Sequence, residues 1–177
     1  MFISVSQIGG SISEKDNRVT AMVEVVERIR QLDDILIEDY KDRPFIHRST
    51  VIDTLKWDSE ILEKQLNIKL PRELVSLWDL VSELRIYEDI NYGQWGLLIW
   101  SPHKTLLSQS TTVEAIGQQL LPGDLVVGEF RGDLDRVLLR CDPKSTDFGH
   151  VIIVDPIDER NDWRTVCRIR SHGKNPR

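Results

Sequence analysis

Turnover in a chain of this kind would have to begin at histidine, cysteine, carboxylate or serine side chains, and here these stand apart from one another. His47, His103, His150 and His172 are scattered, with no second histidine or cysteine three or four residues away, so the spacing that wraps a metal is missing. Cys141 and Cys167 are too few for a disulfide framework and lack the close second thiol of a zinc site. Both are expected as reduced, mostly buried thiols. Gly9-Gly10 and Gly93-Gln94-Trp95-Gly96 match neither phosphate-binding glycine pattern, and no serine occupies a G-x-S-x-G elbow. No catalytic residue, metal or cofactor is expected from these patterns.

The carboxylates Asp124, Glu129, Asp133, Asp135 and Asp142 gather around three strand candidates. Paired carboxylates can do acid/base work, but Asp133 and Asp135 flank a turn, where aspartate bonds the local backbone, and Asp142 precedes Pro143 in another. They read as turn or interaction surface. Of the five tryptophans, Trp78 and Trp100 sit inside apolar runs and are expected to be buried. Trp95, in the glycine-flanked stretch, is the candidate for an exposed anchor, with a ring tucked over the core as the alternative. The candidate protein-binding set is therefore Trp95, Asp124, Glu129, Asp133 and Asp135.

The elements that must carry these residues follow from periodicity and caps. Val19, Met22, Val23, Val26, Ile29, Leu32 and Leu36 recur at helical spacing and predict a helix from Asn17 to Tyr40. Ser49-Thr50 predicts a short helix through Leu55, and Asp58-Ser59 one to about Leu66. Pro71 suits the first turn of a further helix whose buried side is Leu74, Leu77, Trp78 and Val81. Leu97 to Trp100 reads as a strand ending at Ser101-Pro102, and Thr111 to Ile116 as a capped helical turn. Leu121-Pro122-Gly123-Asp124 reads as a turn. Leu125 to Phe130, Arg136 to Cys141 and His150 to Val154 are strands joined by turn-rich links, which favours antiparallel hairpins. A last helix is weakly signalled near Asp162 to Arg170. The fold class is α+β, with N-terminal helices on one mainly antiparallel, twisted sheet. One domain is expected over 1–177, with 1–48 an N-terminal helical extension or first helix and 171–177 a flexible tail.

At 177 residues with 40% hydrophobic and 29% charged side chains, the chain can build one core without a partner. Met1 to Ser11 lacks the basic start of a signal peptide, and no apolar run reaches the ~20 residues a membrane span needs. A cytoplasmic location is expected. The net charge of −6 argues against nucleic acid, which demands clustered Lys and Arg, and would suit a basic partner, although on charge alone mild acidity for solubility is the favoured reading.

The stretch from Leu62 to Trp78, with Leu66-Asn67-Ile68-Lys69-Leu70-Pro71 at its centre, resembles the SUKH superfamily, in which a helix, an "L-G-x-x-L-P" link and a second helix open the domain. Leu97 to Trp100, Leu121-Pro122 with Val126-Val127-Gly128, Arg136 to Asp142 and Gly149 to Asp155 are similar to the strands that follow, so the likeness covers about Thr50 to Asp155. Asn67 replaces the usual glycine, a position asparagine tolerates. Ser82-Glu83 replaces a common Asn-Gly, which implies a longer helix or a remodelled loop. The resemblance implies a binding module: bacterial members are typically immunity proteins that neutralise a co-encoded toxin, often a nuclease, and fungal relatives are regulatory scaffolds. Three readings stand in order: an immunity protein binding a cognate toxin or effector, a scaffold of the same fold, and a small carboxylate-dependent hydrolase.

Overall fold

The computed structural model describes residues 14–37, 45–53, 57–116, 119–132, 135–155 and 160–162. Its elements are α1 (Glu14–Arg30), β1 (Ile35–Ile37), β2 (Phe45–Asp53), α2 (Ser59–Leu66), α3 (Arg72–Leu80), β3 (Val81–Asp89), β4 (Gly96–Ile99), α4 (Pro102–Ile116), β5 (Asp124–Arg131), β6 (Arg136–Arg140), β7 (Val151–Val154) and β8 (Arg160–Asp162). The strands form one eight-stranded sheet in chain order, and every neighbouring pair is antiparallel. The α+β class expected from sequence is the class observed. No described helix is long and apolar enough to cross a membrane.

Burial on both faces explains the unbroken apolar runs of the central strands. On one face Leu62 and Leu74, with Leu70 and Trp78, cover Leu125, Val127, Val137, Leu139 and Ile153. On the other, Ile116 of α4 covers Leu98, Val126, Leu138, Ile152 and Val154. Alternate residues of β5 to β7 thus point into different cores, and both must be apolar. Further along the first face, Val26 and Ile29 of α1 close over Val81 and Leu84 of β3. Trp78 joins the layers: its ring meets Trp57 edge-on at 5.2 Å, and its indole N–H donates to the Trp100 carbonyl at 2.8 Å.

The link between α2 and α3 follows local chemistry closely. Asp58 caps α2 by accepting from Glu60 and Ile61 amides, and Asn67 ends it in the left-handed region with φ 53° and ψ 47°. Glu63 then reaches forward, accepting from the Leu70 amide at 2.9 Å and from Lys69 Nζ at 2.8 Å. Burial alone would push its carboxyl up, but these two donors outweigh it and hold the pKa below the ordinary glutamate value.

The sheet also needs an unusual seal. The β4–β5 register ends at Ile99 opposite Gly128, and the Trp100 amide makes one last bond to the Val127 carbonyl at 2.7 Å. Beyond it, among the described residues, the edge of β5 opposite β6 has no strand beside it. Gln109 of α4 fills the place: its Oε1 accepts from the Val126 amide at 3.3 Å and its Nε2 donates to the Asp124 carbonyl at 3.4 Å. One side-chain amide thus offers the donor and acceptor that a neighbouring strand would.

Several expected elements differ. The helix expected to run to Tyr40 ends at Arg30, because aspartates such as Asp33 and Asp34 oppose the negative end of a helix dipole, and Ile35–Ile37 pairs with β2 instead. The helix expected from Ser49 to Leu55 is replaced by strand β2 up to Asp53, since Thr50, Val51 and Ile52 are β-branched and find a partner in β3. Val81 and Ser82-Glu83 belong to strand β3, with no longer helix there. Pro102 opens α4, of which Thr111–Ile116 is only the end. The helices do not all precede the sheet. Asp162 ends β8, and the rest of the expected last helix, with the tail 171–177, lies outside the described residues.

Two substitutions test this construction. A Cβ at Gly128 would run into the Leu98 carbonyl oxygen, so Gly128→Ala should cost about 2 kcal/mol or more in chemical denaturation, in the range of overpacked cores. Gln109→Leu leaves two backbone groups of β5 unanswered and should cost about 1–3 kcal/mol. The depressed Glu63 carboxyl contributes stability that is present above the ordinary glutamate range and lost as the pH falls through its lowered value. Glu63→Gln should therefore flatten the acid limb of a stability-versus-pH curve, and an unchanged limb would rule that contribution out.

Candidate functional site

The structure separates the expected contact residues. Asp124 is buried to zero side-chain exposure and paired with Arg140 Nη1 at 3.0 Å, while its other oxygen accepts from the Leu121 amide at 2.7 Å. Arg140 also donates to the Pro122 carbonyl at 2.8 Å and lies 3.4 Å from Asp147. Asp124 is therefore a staple for the 121–124 turn and presents no charge to a partner. Asp135 is likewise buried, and its carbonyl accepts from the Phe130 amide at 2.9 Å to close the β5–β6 hairpin. Both assignments to a contact surface are corrected. Asp133 lies outside the described residues.

Glu129 is half-buried between Arg136 at 3.1 Å and Lys104 at 3.8 Å, so its charge is answered locally. Asp124 and Glu129, at opposite ends of β5, have separate cationic partners and share no site. Asp142 accepts from the Lys144 amide at 2.9 Å, the turn role expected of it. Among the described residues no three His, Cys, Asp or Glu side chains converge as a metal requires. Burial pushes the Cys141 thiol up to about 12, which keeps it protonated and unreactive at neutral pH.

Trp95 is exposed, and it does not stand alone. The β3–β4 hairpin carries Ile90, Tyr92 and Trp95, each 43 to 48% exposed, on a turn built around one carboxylate. Asp89 is almost fully buried. Its Oδ1 accepts from the Asn91 amide at 3.0 Å and the Tyr92 amide at 3.2 Å, and its Oδ2 from the Gln94 amide at 3.4 Å. The backbone of Asp89 holds both ends as well, with its amide bonded to the Trp95 carbonyl and its carbonyl to the Gly93 amide. Tyr92 packs edge-on against Phe45 at 5.3 Å.

Glycine is needed where the turn meets its neighbours. Gly96 has φ 128°, and a Cβ there would stand 2.8 Å from the Glu88 Cα. At Gly132, in the β5–β6 turn, a Cβ would strike the Gln94 carbonyl oxygen, and the Trp95 ring lies just beyond. Tyr87 adopts a left-handed φ of 51°, a conformation costing a non-glycine residue about 1 kcal/mol. Its amide donates to Ser49 Oγ at 3.1 Å. Sequence reasoning found Trp95 from its glycines but missed Ile90, Tyr92 and Asp89. The available signal was Asp89-Ile90-Asn91-Tyr92-Gly93, an Asx-turn sequence at the end of a strand.

If Asp89 fixes this turn, Asp89→Ala should release the Asn91, Tyr92 and Gln94 amides to fast hydrogen exchange and cost about 3 kcal/mol. Unchanged protection at those amides would remove the carboxylate from its organising role. No family model matches this sequence, and no curated protein matches it.

Proposed function

We propose that this chain is a protein-binding module that neutralises a cognate toxin or effector by direct contact, with the β3–β4 hairpin as the centre of its binding surface. One observation carries the reading: Ile90, Tyr92 and Trp95 are held out in water on a turn fixed by a buried carboxylate. Single exposed apolar residues are ordinary, but three within six residues of one hydrogen-bonded hairpin are not. A pre-ordered aromatic anchor loses little conformational entropy on binding, and tryptophan and tyrosine dominate interface hot spots. The partner class comes from the resemblance of Leu62 to Trp78 and the strands after it to the SUKH superfamily. The Asp58-capped helix, left-handed Asn67 and Pro71-led helix are compatible with that likeness. The contact set is accordingly Trp95 with Tyr92 and Ile90, and Glu129 at its margin. The expectation that Asp124 and Asp135 recruit a basic partner is not carried forward, since both are buried.

Co-expression with the product of the adjacent open reading frame tests the role. Rescue of growth and co-purification are expected, and Tyr92→Ala with Trp95→Ala should weaken the complex by roughly 30-fold or more, the scale of a hot-spot truncation. A neighbouring product that is neither neutralised nor bound would sink the toxin-blocking role. Full affinity in the double variant would sink the hairpin as the contact.

A further inference from the structure

Beside the hairpin, the face of the sheet that α4 covers at its other end is ionic and carries no other described helix. Arg85 of β3, Leu98 of β4 and Glu129 of β5 stand in register, and Gly96 faces Arg131. Across this strip Arg85 reaches Glu83 at 2.7 Å and Glu88 at 3.4 Å, Arg131 reaches Glu88 at 3.2 Å, and Lys104 lies 4.7 Å over the Trp100 ring beside Glu129.

Depth separates three of the four cations from the anions. The side chains of Arg85, Arg131 and Lys104 are 35 to 39% exposed, whereas those of Glu83, Glu88 and Glu129 are 12 to 22% exposed, and Arg136 at 21% lies at their depth. The glutamates with Arg136 form a floor, and the other three cations form the skin that an approaching molecule meets. The Arg85 and Arg131 guanidiniums are each ion-paired to a more deeply set glutamate, which leaves part of the donor set unspent. Arg85 spends Nε and Nη1 on glutamates, and Arg131 spends Nη1. Among the described residues, Arg85 Nη2 and the Nε/Nη2 edge of Arg131 have no protein acceptor.

We propose that this strip docks a carboxylate-bearing segment of the partner protein, although the chain as a whole is acidic. The inference rests on the binding-module reading above and adds the partner's chemistry to it. The Nε/Nη2 edge that Arg131 keeps beside its Glu88 ion pair matches the two oxygens of one carboxylate, and the ion pair already restricts the side chain's freedom. The Trp95 hairpin adjoins the strip, since Arg131 lies against Gly93 and the Trp95 ring against Gly132. Tryptophan, tyrosine and arginine together are the residues that interfaces concentrate. A nucleic acid fits less well, because Glu83, Glu88 and Glu129 nearly cancel Arg85, Arg131, Arg136 and Lys104, and phosphate backbones require an excess of cations.

The test is retention of the full chain on an array of synthetic peptides of graded net charge, each carrying the same apolar residues, at low and raised salt. Retention should rise with acidic content, fall as salt is added, and drop roughly tenfold on the acidic peptides in Arg85→Gln with Arg131→Gln. Arg131→Lys, which keeps the charge and loses the fork, should fall in between. Circular dichroism checks the variants, and if the double variant is unfolded, the charge preference and salt response of the unmodified chain decide. Retention that ignores peptide charge, favours basic peptides, or is matched by single-stranded RNA overturns the proposal. If charge preference is absent while Trp95→Ala still abolishes retention, only the acidic-partner inference falls. If no peptide is retained, the binding reading falls with it.

Discussion

A strand buried on both faces has no water to answer its backbone, and β5 meets that condition where it outruns its neighbour. Asp124 to Val127 are all buried, yet β4 stops at Ile99. Something other than a strand must supply the missing hydrogen bonds, because an unanswered buried amide or carbonyl costs as much as a good bond contributes. Gln109 does so, and its helix comes with it. The position of α4 at the edge of β5 therefore follows from the shortness of β4.

That placement divides one face of the sheet. Where α4 lies, Leu98, Val126, Leu138 and Ile152 make an apolar floor beneath Ile116. Where it does not, the same face carries the Arg85, Glu88, Glu129 and Arg131 ion pairs. The two halves call for opposite side chains, and the boundary falls at Lys104, whose ammonium caps the Trp100 ring while reaching Glu129. The acidity of the chain is thus poorly described by its sum: Asp124 is spent internally on Arg140, and Glu129 on Arg136 and Lys104. Net charge governs distant encounter, while a docked surface reads only the groups that face it.

Local signals in the sequence were good guides where local chemistry decides. Asp58, Asn67 and Pro71 mark the ends of α2 and the start of α3 because caps and left-handed residues act within a turn of themselves. Consecutive apolar residues at 125–127 and 137–139 mark strands whose identity depends on little else. The misses occur where a distant partner decides. Ser49-Thr50 is a sound helix cap until β3 arrives, 38 residues on in the case of the Ser49–Tyr87 bond, and Val81 with Leu84 has helical spacing although both face α1 from a strand. The contact set suffered in the same way. Nothing near Asp124 announces Arg140, 16 residues away, whereas the glycines around Trp95 reveal its turn directly.

The left-handed turn at Tyr87 reaches further than its own small strain. Arg48 and Thr50 of β2 are two apart and lie on one side of the sheet, but they oppose Glu88 and Arg85, which are three apart. In a regular strand residues three apart point to opposite sides. The extra residue shifts the phase of β3, so that Arg85 and Glu88 emerge together and both can join the chain of charges running to Arg131. One irregular residue thus sets the side on which Glu88 emerges, and a β3 of even pleat would carry it to the opposite face, away from Arg131.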